Sequence, residues 1–147
     1  MVQNSDVIKK VLTTLINVSG RKTSEAQAFT MMDSLLKKLG SRYNFLRDVE
    51  VKDTRFIEEV DPVSVMSDLD TISNDEVGKA LYDIICLTDK NLGKNAGYFF
   101  IKEISRNIEE DYKTTMKNMG LDLSIMQLER EVNEMEQNIT SRRSTKK

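Results

Sequence analysis

The chain has 147 residues, of which 31% are charged, and its 22 Lys and Arg against 24 Asp and Glu leave a net charge of −2. It has no histidine and a single cysteine, Cys86, which excludes Ser-His-Asp and Cys-His catalytic units, His-containing zinc sites, internal disulfides and multi-cysteine clusters. The length fits one domain, and runs of at most four consecutive apolar residues are far too short for a membrane span of about 20 residues.

Two amphipathic helices are predicted at the start of the chain. Asn4 or Ser5 caps the first, which Gly20 ends, and the second begins at Thr23 or Ser24. The short connection between them favours an antiparallel pair. Their apolar residues recur at helical spacing and are Val7, Ile8, Val11, Leu12, Leu15 and Ile16 in the first and Ala28, Met31, Met32, Leu35, Leu36 and Leu39 in the second.

A β-hairpin is predicted near residues 45–60. Its strands cover about 45–51 and 55–60, with the turn at Lys52-Asp53, because the helical period fades there and β-branched residues increase. Pro62 stops regular pairing or marks an edge, and Val63 and Val65 form one more short extended piece. A helical turn is the alternative at the start of this segment, since it also fits Phe45, Leu46 and Val49.

The clearest local signal is a capping box formed by Ser73 and Glu76. It predicts a helix that begins there and fades near Thr88. Cys86 falls roughly opposite the apolar stripe of this helix, where we expect a small apolar filler on a secondary contact, since no imidazole is present to activate the thiol.

A long helix is predicted from about Ala96 to Met119, ended by Gly120. The preceding segment, residues 91–97, contains two glycines and Lys94 but lacks the order of a phosphate-binding loop, so it is interpreted as a structural turn. The predicted buried stripe of the long helix is Phe99, Phe100, Ile104, Ile108, Tyr112 and Met116.

The last helix is predicted to begin at Ser124, with Gln127 as its capping partner. The fold class is therefore α+β, mainly α: a helical hairpin, a β-hairpin, two further helices and a C-terminal amphipathic, coiled-coil-like helix. Residues 1–120 form a single globular domain, 121–140 the C-terminal helix, and 141–147 a disordered basic tail.

A heptad seam is the main functional candidate. It places β-branched residues at a and Leu or Met at d, which favours a parallel two-stranded coil and predicts a homodimer. Packing of the same stripe on its own domain is the alternative, because fewer than three heptads make a weak coiled coil. The seam consists of Ile125, Leu128, Val132, Met135 and Ile139.

Charge is unevenly distributed along the chain. Residues 1–47 carry eight Lys or Arg against three Asp or Glu, whereas residues 48–76 carry two against ten. Carboxylates in the acidic stretch (Asp53, Glu58, Glu59, Asp61, Asp68 and Asp70) do not follow an EF-hand pattern, so they are interpreted as an acidic edge and not as a metal site.

These observations predict a non-enzymatic, cytoplasmic interaction or regulatory module with no cofactor, no metal and no membrane association. Its protein partner is not indicated by any motif. The alternative function is a nucleic-acid-associated regulator, for which the phosphate-contacting residues are Lys9, Lys10, Arg21, Lys22, Arg142, Arg143, Lys146 and Lys147.

Overall fold

The structure is a computed structural model that describes residues 2–51, 63–65 and 67–145. It is mostly helical, as predicted. Its six described α-helices are α1 (Asn4–Lys22), α2 (Glu25–Leu39), α3 (Asn74–Leu92), α4 (Phe100–Arg106), α5 (Glu110–Asn118) and α6 (Leu123–Thr145). Within these ranges no helix is long and apolar enough to cross a membrane.

Helix α1 is the centre of the fold. It packs against α2, α3, α4 and α5, so its buried residues occupy more than one face, among them Val7, Leu12 and Val18. It continues past Gly20, the predicted end, to Lys22. Because α1 is surrounded by other helices, tertiary packing stabilises its last turn despite the glycine.

The start of α1 is capped locally by Gln3 and Asp6 and from across the fold by Asp70, and not by the residues predicted. Asn4 and Ser5 lie inside its first turn, and the residue before the helix is Gln3, whose N–H donates to Asp6. The Ser5 N–H donates to Oδ1 of Asp70 at 2.8 Å, from the 3₁₀ turn Ser67–Thr71. Asp70 therefore satisfies one of the free N–H groups at this helix end.

The cap predicted for α2 is confirmed, because Ser24 Oγ accepts from the Gln27 N–H at 3.2 Å.

The predicted first strand is wrong over its first half. Residues Asn44–Asp48 form a 3₁₀ helix, and the strand β1 covers only Val49–Val51. Phe45 and Leu46 are adjacent and both buried, which a helical turn permits and an alternating strand does not. β1 pairs antiparallel with β2 (Val63–Val65), the extended piece beyond Pro62, whereas the predicted turn and second strand lie outside the described residues.

Helix α3 begins as predicted and ends later. Ser73 Oγ accepts from the Glu76 N–H at 3.3 Å, and the helix runs to Leu92, where Gly93 has a φ of 57°. Thr88, the predicted end, is buried within the helix and donates its hydroxyl to the Ile84 carbonyl at 2.7 Å. Packing of α3 on α1 and α2 keeps this last turn helical.

The predicted long helix is interrupted, which corrects the prediction of one helix over residues 96–119. It begins only at Phe100 and breaks between Arg106 and Glu110. The Asn107 side chain donates to the Glu103 carbonyl at 2.8 Å, and Glu109 is extended. Local side-chain bonds of this kind compete with helix propagation. Phe99, predicted to be buried, is 51% exposed.

α6 begins at Leu123 and not at Ser124. Asp122 caps it, because its Oδ1 accepts from the Ser124 N–H at 2.9 Å and from the Ile125 N–H at 3.3 Å. The helix continues to Thr145, so residues 141–145, predicted to be disordered, are helical, and residues 146 and 147 lie outside the described part.

Candidate functional site

The inner face of α6 packs on α4. Met126 and Gln127 are buried there. Gln127, predicted to cap α6, instead bridges to the start of α4: its Oε1 accepts from the Lys102 N–H at 3.2 Å and its Nε2 donates to the Tyr98 carbonyl at 3.1 Å. This side-chain amide fixes the rotation of α6 about its own axis relative to the domain.

An ion pair joins the same face to α3. Arg130 donates from Nε to Oδ2 of Asp89 at 2.7 Å and from Nη2 to Oδ1 at 3.2 Å, and its Nη1 donates to the Tyr98 carbonyl at 2.6 Å. The Arg130 and Asp89 side chains are 19% and 21% exposed. Partial shielding from water strengthens such a two-point pair compared with an open surface pair.

A third contact ties α6 to α3. The Tyr82 hydroxyl donates to Oε2 of Glu129 at 2.9 Å. This hydrogen bond to a carboxylate, together with the Cys86 thiol, raises the pKa of Tyr82 to about 12. Tyr82 therefore stays protonated and remains a donor to Glu129 throughout the neutral range.

The outer face of α6 carries the predicted heptad seam. Four seam residues are large, apolar and more than half exposed: Ile125 54%, Leu128 60%, Val132 52% and Met135 59%. They lie on the opposite side of the helix from Met126, Gln127 and Arg130. Against the described part of the chain these four side chains are therefore mostly open to solvent, whereas the alternative expected them to pack on their own domain. The fifth residue, Ile139, is placed on α6, and its side chain lies outside the described part.

Beside the inner face, α3 and α6 enclose an open groove of about 740 Å³ lined by Tyr82, Cys86, Asp89, Lys94, Tyr98 and Arg130, among others. Cys86, expected as an apolar filler, is exposed here. Partial desolvation raises the pKa of its thiol, against a smaller lowering by the hydrogen bond with Tyr82. A raised pKa keeps the thiol protonated and makes it a poor nucleophile.

The segment of residues 91–97, which precedes α4, is interpreted from the sequence as a structural turn, and the structure shows a turn there. Residues Gly93–Asn95 form a short 3₁₀ helix, and Gly93 and Gly97 have positive φ angles. Ala96 is buried between them, and Lys94 is exposed.

Among the described residues, the predicted phosphate-contacting side chains do not form one cluster. Lys10 Nζ lies 2.9 Å from Oε1 of Glu109, and Lys22 Nζ lies 2.8 Å from Oε1 of Glu103. Lys9 and Arg21 belong to opposite halves of α1, roughly 18 Å apart along its axis. Lys146 and Lys147 lie outside the described residues, as do the side chains of Arg142 and Arg143. With Lys10 and Lys22 paired to carboxylates, the α1 part of the proposed nucleic-acid surface loses at least two of its four cations.

Asp70, considered with the acidic stretch, serves as the α1 cap. Over the described residues, no group of three or more Cys, Asp or Glu is placed to hold a metal ion, and Asp53, Glu58, Glu59 and Asp61 fall outside those residues.

Sequence reasoning missed the residues that orient the seam, namely Asp89, Gln127 and Arg130. Asp89 and Arg130 are 41 positions apart, and Gln127 and Arg130 are 29 and 32 positions from Tyr98. Contacts between residues so far apart in the chain leave no local sequence pattern.

Gly78 did carry a detectable signal, because a glycine inside a predicted helix is unfavourable unless packing requires it. A Cβ at Gly78 would lie 2.1 Å from the Met119 carbonyl oxygen, so α3 touches the α5–α6 connection through bare backbone.

Comparison with protein-family models, with curated proteins and with solved structures finds no match.

Proposed function

We propose that this protein is a non-enzymatic interaction module in which two copies pair through the outer faces of their α6 helices. The observation that carries the proposal is the heptad stripe, which is exposed on the side of α6 turned away from the domain. A contiguous exposed apolar stripe of this kind is characteristic of association surfaces. The a and d residue types favour a parallel pair.

Contacts on the inner face support the same proposal. Gln127 and Arg130 are fully engaged with α3 and α4, so rotating α6 to bury the seam internally would break both sets of hydrogen bonds. Leaving the largely buried Asp89 carboxylate without its partner costs about 2 kcal/mol. The seam is therefore held outwards, on a face that a second chain can cover.

The pairing is expected to be weak. Complete burial of such a side chain is worth about 1.5–3 kcal/mol, so burying the exposed half contributes roughly 1 kcal/mol per residue and about 8 kcal/mol for four residues on each of two chains. The loss of translational and rotational freedom opposes this with about 4–15 kcal/mol. At the low end of this cost about 4 kcal/mol remains for pairing, which corresponds to a dissociation constant of about 1 mM, and burial of Ile139 lowers it further.

Sedimentation equilibrium of the full chain over a wide range of concentrations tests the proposal. The seam variant Leu128→Gln/Met135→Gln changes two exposed residues and is expected to stay monomeric where the unchanged protein reaches the mass of a dimer. The control Asn133→Ala/Gln137→Ala alters exposed positions of α6 away from the seam and is expected to dimerise normally. Equal masses for the unchanged protein and the seam variant at every concentration would refute the proposal.

Point substitutions are preferable to removing α6 altogether. Leu121, Leu123 and Met126 are buried against the domain, so a chain ending at Gly120 would uncover core residues. A change in its mass would then report on damaged packing as well as on the seam.

A further inference from the structure

The seam of α6 has acidic flanks. Glu129 and Glu136 directly follow the d residues Leu128 and Met135, and Glu131 directly precedes Val132, so the three occupy e and g positions. The remaining e and g positions between 124 and 138 are Ser124 and Asn138, which are uncharged. No Lys or Arg therefore borders this part of the stripe.

Within the described part of the chain, the three carboxylates are not paired with a cation. Glu129 accepts from the Tyr82 hydroxyl, and Glu131 accepts at 3.4 Å from the neutral side chain of Gln127. Over the described part of the chain, neither they nor Glu136 form an ion pair with Lys or Arg. Their charge is thus available to any helix that docks on the seam.

A second copy of α6 fits this charge pattern poorly. In a parallel coil each g residue faces the e residue five positions later on the other helix, so Glu131 faces Glu136 of the second copy, and symmetry repeats this contact. Reversing one helix brings e positions opposite each other, which places Glu129 near Glu136 of the second copy. Like charges at these positions oppose pairing in both directions.

We infer that the preferred occupant of the seam is an amphipathic helix of a different protein that carries Lys or Arg on both sides of its apolar stripe. The inference rests on the proposed function, because it uses the same face of α6 and names the chemistry of the partner. Self-pairing is then the weaker state, which a helix with basic flanks displaces. An anionic membrane surface is repelled by the same carboxylates.

The full chain itself supplies the probe. The variant Glu131→Lys/Glu136→Lys places lysines at the g and e positions without touching the Tyr82 hydrogen bond, so a mixed pair with the unchanged protein has two attractive contacts where the homodimer has two repulsive ones. Binding of the variant to fluorescently labelled unchanged protein is compared with self-association of the unchanged protein under the same conditions. The control Asn133→Lys/Gln137→Lys adds two lysines to the same helix away from the seam.

The mixed pair is expected to have a dissociation constant about tenfold lower than the homodimer, and the difference is expected to shrink in about 1 M salt. The control variant is expected to show no gain. A mixed pair no tighter than the homodimer overturns the inference and leaves the proposed function standing. If neither pair forms up to about 1 mM, the proposed function fails and the inference fails with it.

Discussion

Arg130 and Asp89 form a two-point ion pair that joins α6 to α3 at donor–acceptor distances of 2.7 and 3.2 Å. The same guanidinium binds the Tyr98 carbonyl before α4, so one side chain connects three elements. Because Arg130 lies opposite the seam on α6, this pair helps to hold the seam outwards, together with Gln127 and the buried Met126. The orientation of the candidate interaction surface therefore depends on contacts of the opposite face and not on the apolar residues that form the surface.

Substitution Arg130→Ala is expected to lower the free energy of unfolding by about 2 kcal/mol, because it leaves the half-buried Asp89 carboxylate unpaired. Urea unfolding measures this change. The double variant Arg130→Ala/Asp89→Ala removes both charges and is expected to recover part of the loss. Additive losses in the double variant would show that the two side chains are not coupled.

Substitution Gly78→Ala is expected to destabilise the protein by about 3 kcal/mol, because the added methyl group overlaps the Met119 carbonyl and forces backbone to move. Gly20→Ala is the matched control. A Cβ at Gly20 meets its nearest atoms at an ordinary 3.5 Å, and alanine favours a helix, so the control is expected to stabilise by about 0.5–1 kcal/mol. Thermal unfolding of both variants separates close packing from helix propensity.

Substitution Ser19→Ala is expected to stabilise the protein by about 1 kcal/mol. The Ser19 hydroxyl is buried, and within the described part of the chain its oxygen has no hydrogen-bond partner, so its removal relieves an uncompensated desolvation cost. Thr88→Val is the contrasting variant, since it removes a buried hydroxyl that donates to Ile84, and it is expected to destabilise. Equal effects of the two substitutions in chemical unfolding would contradict this explanation.

The contact between Tyr82 and Glu129 predicts a dependence on alkaline pH. The pKa of Tyr82 is about 12 in the folded protein and near 10 in the unfolded chain, so the folded state binds this proton more tightly. Its contribution to stability is fully present below about pH 10 and is lost as the pH rises from about 10 to 12. Stability measured as a function of pH in this window tests the prediction.

Tyrosinate absorbance assigns the titration. The chain has four tyrosines, and Tyr82→Phe is expected to remove a component that titrates near 12. Glu129→Ala is expected to move that component back towards 10, because it removes the carboxylate that holds the phenol proton. An unchanged absorbance titration in Glu129→Ala would show that this hydrogen bond does not raise the pKa.

Helix ends were predictable where the signal is local. The Ser73 cap of α3, the Ser24 cap of α2 and the left-handed glycine at Gly120, with a φ of 85°, involve residues three or fewer positions apart. A sequence pattern is sufficient there because the hydrogen bonds are made within one turn. The contact of Asp70 with the start of α1 was missed for the opposite reason, since Asp70 is 65 positions from Ser5.

The composition by itself excluded histidine chemistry and internal disulfides, and the spacing of apolar residues alone determined that α6 is amphipathic with a heptad seam. Tertiary structure decided which face of α6 is covered. The spacing of apolar residues shows that they share one face of a helix, but it does not show what packs against that face. That depends on Gln127, Arg130 and Asp89, whose contacts with distant residues form only when the chain is folded.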